Sequence, residues 1–276
     1  MPSSKRIITL LTLATLTLLS STAQAQLFPD KNLEAAVREQ VFAKRNNTQP
    51  LVAKDVENIS TVKARGRKIK SLKGLEACKA LASIDLAKNE ITDVGPLKEL
   101  TNLQSLDLSN NKVKDIKPLA GLKNLQYLQL ENNQVEDVSI LSGLKSLNSL
   151  YLTNNQIKDV SAVKDLKKLW SLYLGGNPLK SLDPLKNLKG LTTLDLSGTG
   201  VTNVSAISTM NELKHLMLQG NKLADLATLV EMAKKDKSGE FAPFWNVYLK
   251  GNPLNETGKK QLDELKKLGV RVNLTS

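Results

Sequence analysis

Apolar residues along this chain follow neither a helical period nor a strand period alone. In the stretch LQSLDLSNNKVKDIKPLAGLKN they fall at Leu103, Leu106, Leu108, Val113, Ile116, Leu119 and Leu122. The opening LxxLxL has the alternation of a short strand, and the wider spacing after it suits a turn and a return segment. The pattern restarts every 22 residues, at Ile59, Leu81, Leu103, Leu125, Leu147, Leu169, Leu191 and Leu213, and once more at Phe244 after nine extra residues. A single unit cannot bury its own leucines, whereas stacked units bury them in one continuous apolar column.

Two polar columns ride on this repeat. Asn89, Asn111, Asn133, Asn155, Asn177, Asn221 and Asn252 share one slot, three residues after the last strand leucine. Buried amides need partners, so this column reads as a ladder that satisfies loop backbone groups of adjacent turns. Asp93, Asp115, Asp137, Asp159 and Asp225, with Ser71, Ser181 and Asn203 in the same column, read as N-caps of a short helical turn. Pro96, Pro118 and Pro184 follow within the first turn, where proline is tolerated. Together these columns define a leucine-rich-repeat solenoid. The expected class is α/β, right-handed, with a parallel concave sheet, short helical or 3-10 turns on the convex side and helical caps at both ends.

Four segments follow. Residues 1–25 read as a signal peptide: Lys5 and Arg6 precede the apolar run Ile7 to Leu19, and Ala23-Gln24-Ala25 fits a small-x-small cleavage site. The run is too short for a good membrane span, and none of that length follows. Residues 26–58 form the N-terminal cap, with a helix expected from Asp30 to Lys44, capped by Asp30, and a second one near Lys54 to Asn58. Residues 59–243 carry the repeats. Residues 244–276 hold the last repeat and C-terminal cap: a strand from Trp245, an amphipathic helix Thr257 to Leu268 ended by Gly269, and a closing strand Val270 to Leu274. The repeat at Leu191 departs, with Thr199 in the asparagine slot.

Charge changes the picture at one place. The chain carries +12, and cleavage after Ala25 would remove Lys5 and Arg6 and leave +10. The first repeat, Ile59 to Ala80, holds seven basic residues against Glu76, a net of +6. Lys63, Arg65, Arg67 and Lys68 are its candidate anion-binding residues. The single cysteine, Cys78, falls on a leucine slot and reads as a small core residue. The single histidine lies seven repeats away, out of hydrogen-bond reach, so no Cys–His pair forms. Asp85 and Asp107 face the same open sheet on neighbouring strands, where nothing splits their acidities for acid–base work. No metal-ligand spacing and no phosphate-binding glycine loop occurs. The expectation is a binding protein rather than an enzyme, with no cofactor and no metal.

The motif LDLSNNKVKDIKPLAGLKNL and its copies, with the leading segment FPDKNLEAAVRE, resemble the bacterial internalin-type leucine-rich-repeat proteins. Their 22-residue repeat looks like that of the regulatory subunit of protein phosphatase 1. The resemblance covers nearly the whole chain after residue 25. It implies a curved solenoid whose concave side binds a partner. It names no ligand, and the wall-anchoring and extra binding domains of many internalins have no counterpart here.

Strand geometry assigns the concave residues. Slots one, four and six of LxxLxL point inward, and slots three, five and seven project from the sheet, with slot two at its edge. All four tyrosines, Tyr127, Tyr151, Tyr173 and Tyr248, fall in the projecting columns, and both tryptophans, Trp170 and Trp245, sit at slot two. Aromatic residues with polar handles are enriched at binding hot spots. The candidate partner surface is therefore Tyr127, Tyr151, Trp170, Tyr173, Asp195, His215, Met217 and Tyr248. The function expected is an exported module, periplasmic or secreted and monomeric, that recognises a protein on its concave sheet and binds no nucleic acid. The alternative is a binder of envelope polysaccharide or anionic lipid through the basic first repeat.

Overall fold

Each LxxLxL core forms one three-residue strand, and the following residues bring the chain back for the next. A computed structural model describes residues 26–274; the signal-peptide reading falls on residues outside these. The strands are β1 Thr61–Lys63, β2 Ser83–Asp85, β3 Ser105–Asp107, β4 Tyr127–Gln129, β5 Ser149–Tyr151, β6 Ser171–Tyr173, β7 Thr193–Asp195, β8 His215–Met217, β9 Asn246–Tyr248 and β10 Arg271–Asn273. They form one ten-stranded sheet in sequence order. Every pair is parallel and in register, so Ser105 lies beside Tyr127 and Tyr151 beside Tyr173. Short 3-10 turns such as Lys117–Gly121 carry the return segments. The expected solenoid is therefore what the chain adopts.

The asparagine column is a buried ladder. Asn133 Nδ2 donates to the carbonyls of Leu108 at 2.9 Å and Leu130 at 3.0 Å, and its Oδ1 accepts from Val113 N at 2.9 Å. Each rung thus ties its own loop to the preceding repeat. Thr199 keeps only part of this: its hydroxyl donates to Leu196 O at 2.7 Å, while Leu179 N turns to Asn177 O instead of a side chain. The aspartate column works one step earlier than a helix cap. Asp115 Oδ1 accepts from Lys117 N at 2.8 Å, two residues on, and the 3-10 turn begins there. This is an Asx turn, whose short side chain bonds the backbone locally. A further column lies just outside the strands. Asn110, Asn132 and Asn154 adopt left-handed φ near +55°, with amides linked at 3.1 and 2.8 Å.

The N-terminal cap closes the open end of the column. Helix α1, Lys31–Arg38, is shorter than expected; after it the chain turns through Arg45, and Arg38 Nη1 donates to Lys44 O and Gln49 O. Helix α2 spans Ala53–Val56. Phe28, Leu33, Ala36 and Val37 are buried against the first repeat. Gly74 holds a φ of +105°, and a Cβ there would stand 2.3 Å from Leu27 O and 2.6 Å from the Phe28 ring, so a side chain would unseat the cap.

Asp30 fastens cap to repeat. Its Oδ1 accepts from Asn32 N and Leu33 N, capping α1, and its Oδ2 accepts from Lys70 N at 2.8 Å and Ser71 N at 3.1 Å. Burial pushes this carboxyl up, but the four backbone N–H groups together hold it below the usual value. Such a group stabilises the fold above its unfolded pKa, and that contribution is lost as pH falls through the depressed folded pKa. Asp30→Ala is expected to cost about 1–3 kcal/mol. It should also flatten the acid limb of stability below about pH 4. Urea midpoints measured from pH 7 to pH 3 check both, and an unchanged acid limb would contradict the assignment.

At the other end, helix α3, Ala227–Lys235, and helix α4, Glu256–Lys267, pack together over the last repeat. Here the register reading needs a correction. Trp245, expected at the sheet edge, is 0% exposed, whereas Phe244, expected in the core, is 56% exposed. The extra residues bring the chain in through a 3-10 turn, Ala242–Phe244. Strict alternation then runs back from Val247 to Trp245, which packs tilted against Phe241 with centroids 4.7 Å apart. Cys78 is buried, and burial pushes its thiol up to about 12, as suits a core residue.

Candidate functional site

The concave columns converge on an aromatic cluster. Tyr151 and Tyr173 occupy the same slot on β5 and β6, and parallel register stacks their rings at 4.6 Å with planes 13° apart. Tyr127, one strand earlier and in slot three, leans onto Tyr151 at 5.3 Å and 53°. Trp170 is 53% exposed, and its Nε1 donates to Ser149 Oγ at 2.7 Å. Ser149 lies beside Tyr127 on the neighbouring strand. One surface thus runs from Trp170 over Ser149 to Tyr127, Tyr151 and Tyr173. Half-burial pushes the Tyr127 hydroxyl up to about 12 and raises those of Tyr151 and Tyr173, so all three stay protonated donors at neutral pH.

The remaining candidates are placed differently. Asp195 follows Tyr173 in the same column, then Met217, then Tyr248. Tyr248 is therefore three strands from the stack, roughly 14 Å at 4.8 Å per strand, and is not part of it. His215 is exposed in slot three of β8, beside Thr193 and Asn246. It shares no cluster with Cys78, which lies in the core. Trp245, in the core, is not available to a partner.

Charges on this face are largely committed. Arg65 Nε donates to Asp85 Oδ2 at 3.1 Å and its Nη2 to Asp107 Oδ2 at 2.7 Å, bridging two strands. With its amide turned to satisfy both neighbours, Gln129 donates to Asp107 Oδ2 and accepts from the Tyr127 hydroxyl, each at 2.8 Å. Asp85, Asp107 and Asp195 each also accept from the backbone N–H two residues on. Asp85 and Asp107 are thus ligands of one guanidinium rather than an acid–base pair. Arg67 makes a two-pronged pair with Glu39 of the cap, both contacts 2.7 Å. The two arginines read as anion-binding residues therefore already hold carboxylates of this chain. Lys63 and Lys68 remain exposed, on the concave face and in the following loop.

Three residues that the sequence places in the projecting columns, but not in the aromatic patch, join it in the structure. Glu131, in slot seven, two residues past β4, is half-buried, and its carboxyl is raised by burial and then by Asp107 and Asp195. Gln129 and Ser149 connect the tyrosines to their surroundings. Each sits in a projecting column, but none is an aromatic or part of a charge cluster in the sequence.

The fold defines a leucine-rich-repeat solenoid with an aromatic cluster on its open sheet face. A family profile for leucine-rich repeats in pairs matches overlapping windows at residues 79–121, 101–143, 123–168, 145–187 and 167–208. Among solved structures, internalin C2 from Listeria monocytogenes is 32% identical, with 75% of this chain and 91% of that chain covered and a TM-score of 0.69. A leucine-rich-repeat protein of Leptospira interrogans is 24% identical over 74% of this chain and 57% of its own, with a TM-score of 0.63. The functional domain of InlJ from Listeria monocytogenes, described as including a cysteine ladder, is 20% identical over 86% and 54%, with a TM-score of 0.62. These last two show the shared fold. A search of curated proteins finds no match. The chain belongs to the internalin-like leucine-rich-repeat family. Among the described residues no helix is long and apolar enough to cross a membrane.

Proposed function

We propose that this chain is an exported, monomeric binding module that recognises a protein partner on its concave sheet. The observation that carries the reading is the stack of Tyr151 on Tyr173 with Tyr127 beside it, all three on strands, and Trp170 held against them from the residue before β6. Rigid aromatic groups with polar ends present large contact area at low entropic cost. Parallel register holds them in place before any partner arrives, which lowers the cost of binding. Export rests on Lys5, Arg6, the apolar run and Ala23-Gln24-Ala25. Asp195, His215, Met217 and Tyr248 extend the contact along later strands.

Capture from envelope and culture-fluid extracts tests this, with the chain immobilised beside its Tyr151→Ala/Tyr173→Ala variant. A protein held by the former and lost by the latter supports the concave face. Equal retention by both would refute it. The reading through the first repeat has weaker support, because Arg65 and Arg67 are engaged within the chain. It predicts that charge reversal at Lys63 and Lys68 abolishes binding to anionic vesicles in low salt; undiminished binding would remove it.

A further inference from the structure

The tyrosine stack is bordered by carboxylates that the chain neutralises at one end only. At the β1 end, Arg65 lies across Asp85 and Asp107. Over β4 to β7 the projecting columns hold Gln129, Glu131, Thr153, Gly175, Asp195 and Ser197 around the aromatics, and none is basic. Among the described residues no hydrogen bond or ion pair engages the half-buried Glu131 carboxylate. Asp195 commits Oδ1 to Ser197, whose N and Oγ donate at 2.8 and 2.6 Å. Its Oδ2 folds toward β6: a Cβ on Gly175 would stand 2.6 Å from it. Gly175 has no left-handed φ, so its missing side chain serves space rather than backbone freedom. The room it leaves lets the buried Asp195 lean toward β6 and Tyr173.

We infer that the partner segment seated on this stack presents an arginine or lysine, whose cation lies against the tyrosine cluster beside the Glu131 carboxylate, with Asp195 at the far end of the stack. This rests on the concave-face reading above and specifies its partner. Arg65 is the chain's own example of a cation held by carboxylates of this face, there on the neighbouring strands β2 and β3. A ring face attracts a cation, and an ionised acceptor makes each contact shorter and stronger than a neutral one. A lone half-buried carboxylate has most to gain from such an occupant. The rest of the chain is basic, at +12 overall, so a cationic segment is steered away from other surfaces and toward this face.

Blocked five-residue peptides with a central arginine or its neutral isostere citrulline, the other positions glycine, are the probes. They are titrated into the purified chain while tyrosine ring resonances are followed by NMR. The arginine peptide is expected to shift Tyr151 and Tyr173 saturably and to bind about tenfold tighter than the citrulline peptide. Glu131→Gln, which keeps shape and removes charge, should bring the arginine peptide down to the citrulline level. Equal affinity of the two peptides, or no effect of Glu131→Gln, overturns the inference. Extract capture by the tyrosine double variant separates the two readings. Capture lost there while the peptides bind alike leaves the concave face standing and removes the cation.

Discussion

Replacing Tyr151 and Tyr173 together by alanine is expected to weaken capture of the concave-face partner by about 1,000-fold, since central aromatic anchors cost about 2 kcal/mol or more each. The stack makes the pair act as one unit. With centroids at 4.6 Å, each ring forms one wall of the other's resting place, and deleting either leaves the survivor free to turn. The pair term should therefore show as non-additivity: each single variant is expected to recover more than half of the full loss. Phenylalanine at both positions keeps the stack but removes the raised, protonated hydroxyls, so it isolates their hydrogen bonds. Folding should hardly notice, because the rings lie on the sheet surface while Leu150 and Leu172 beneath them fill the core. A shift of the unfolding midpoint below about 4 °C is expected. Titration calorimetry and a thermal melt on the same samples check this, and a double variant that binds like the parent would refute the site.

Removing a rung of the asparagine ladder is expected to act in the opposite sense, on stability rather than on the concave face. Asn177 is fully buried; its Nδ2 donates to Leu152 O and Leu174 O, both at 2.9 Å, and its Oδ1 accepts from Ile157 N at 3.0 Å. Asn177→Ala leaves these backbone groups without partners where water does not reach, at about 3–5 kcal/mol. Asn177→Thr is expected to lose less, because it keeps one of the three bonds. Thr199 shows why: a hydroxyl in this slot still reaches its own strand-end carbonyl, at 2.7 Å, and gives up the two bonds to the preceding repeat. Because each repeat touches only its neighbours, the damage should concentrate near β5 to β7. Urea midpoints order the variants and hydrogen exchange locates the loosening; equal costs for alanine and threonine would contradict the ladder's division of labour.

Much of this was legible in the residues, and for identifiable reasons. A 22-residue period leaves no choice of register, so Leu106, Leu128 and Leu150 had to lie side by side, and the tyrosines in adjacent columns with them. The last repeat broke that logic. Its extra residues released the chain from the period, and a proline-containing 3-10 turn set the phase, turning Trp245 in and Phe244 out. Helix α1 ended early because the chain after Glu39 turns back under Arg38, a contact between distant positions that no local pattern encodes. Arg65 and Arg67 looked like free charge because their partners, Asp85, Asp107 and Glu39, lie 20 to 42 residues away along the chain.

Periodicity alone, through the burial of leucines at fixed intervals and the backbone demand met by Asn89 and its successors, determined the solenoid, its parallel sheet and which columns face the open side. Only the folded chain decided which of those exposed groups were already satisfied. Coulomb attraction and hydrogen bonding act through space, so Arg65 went to Asp85 and Asp107, Gln129 to Asp107 and Tyr127, and Trp170 to Ser149. Among the described residues Glu131 was left on the aromatic face without a partner, because no basic side chain projects from the strands around it.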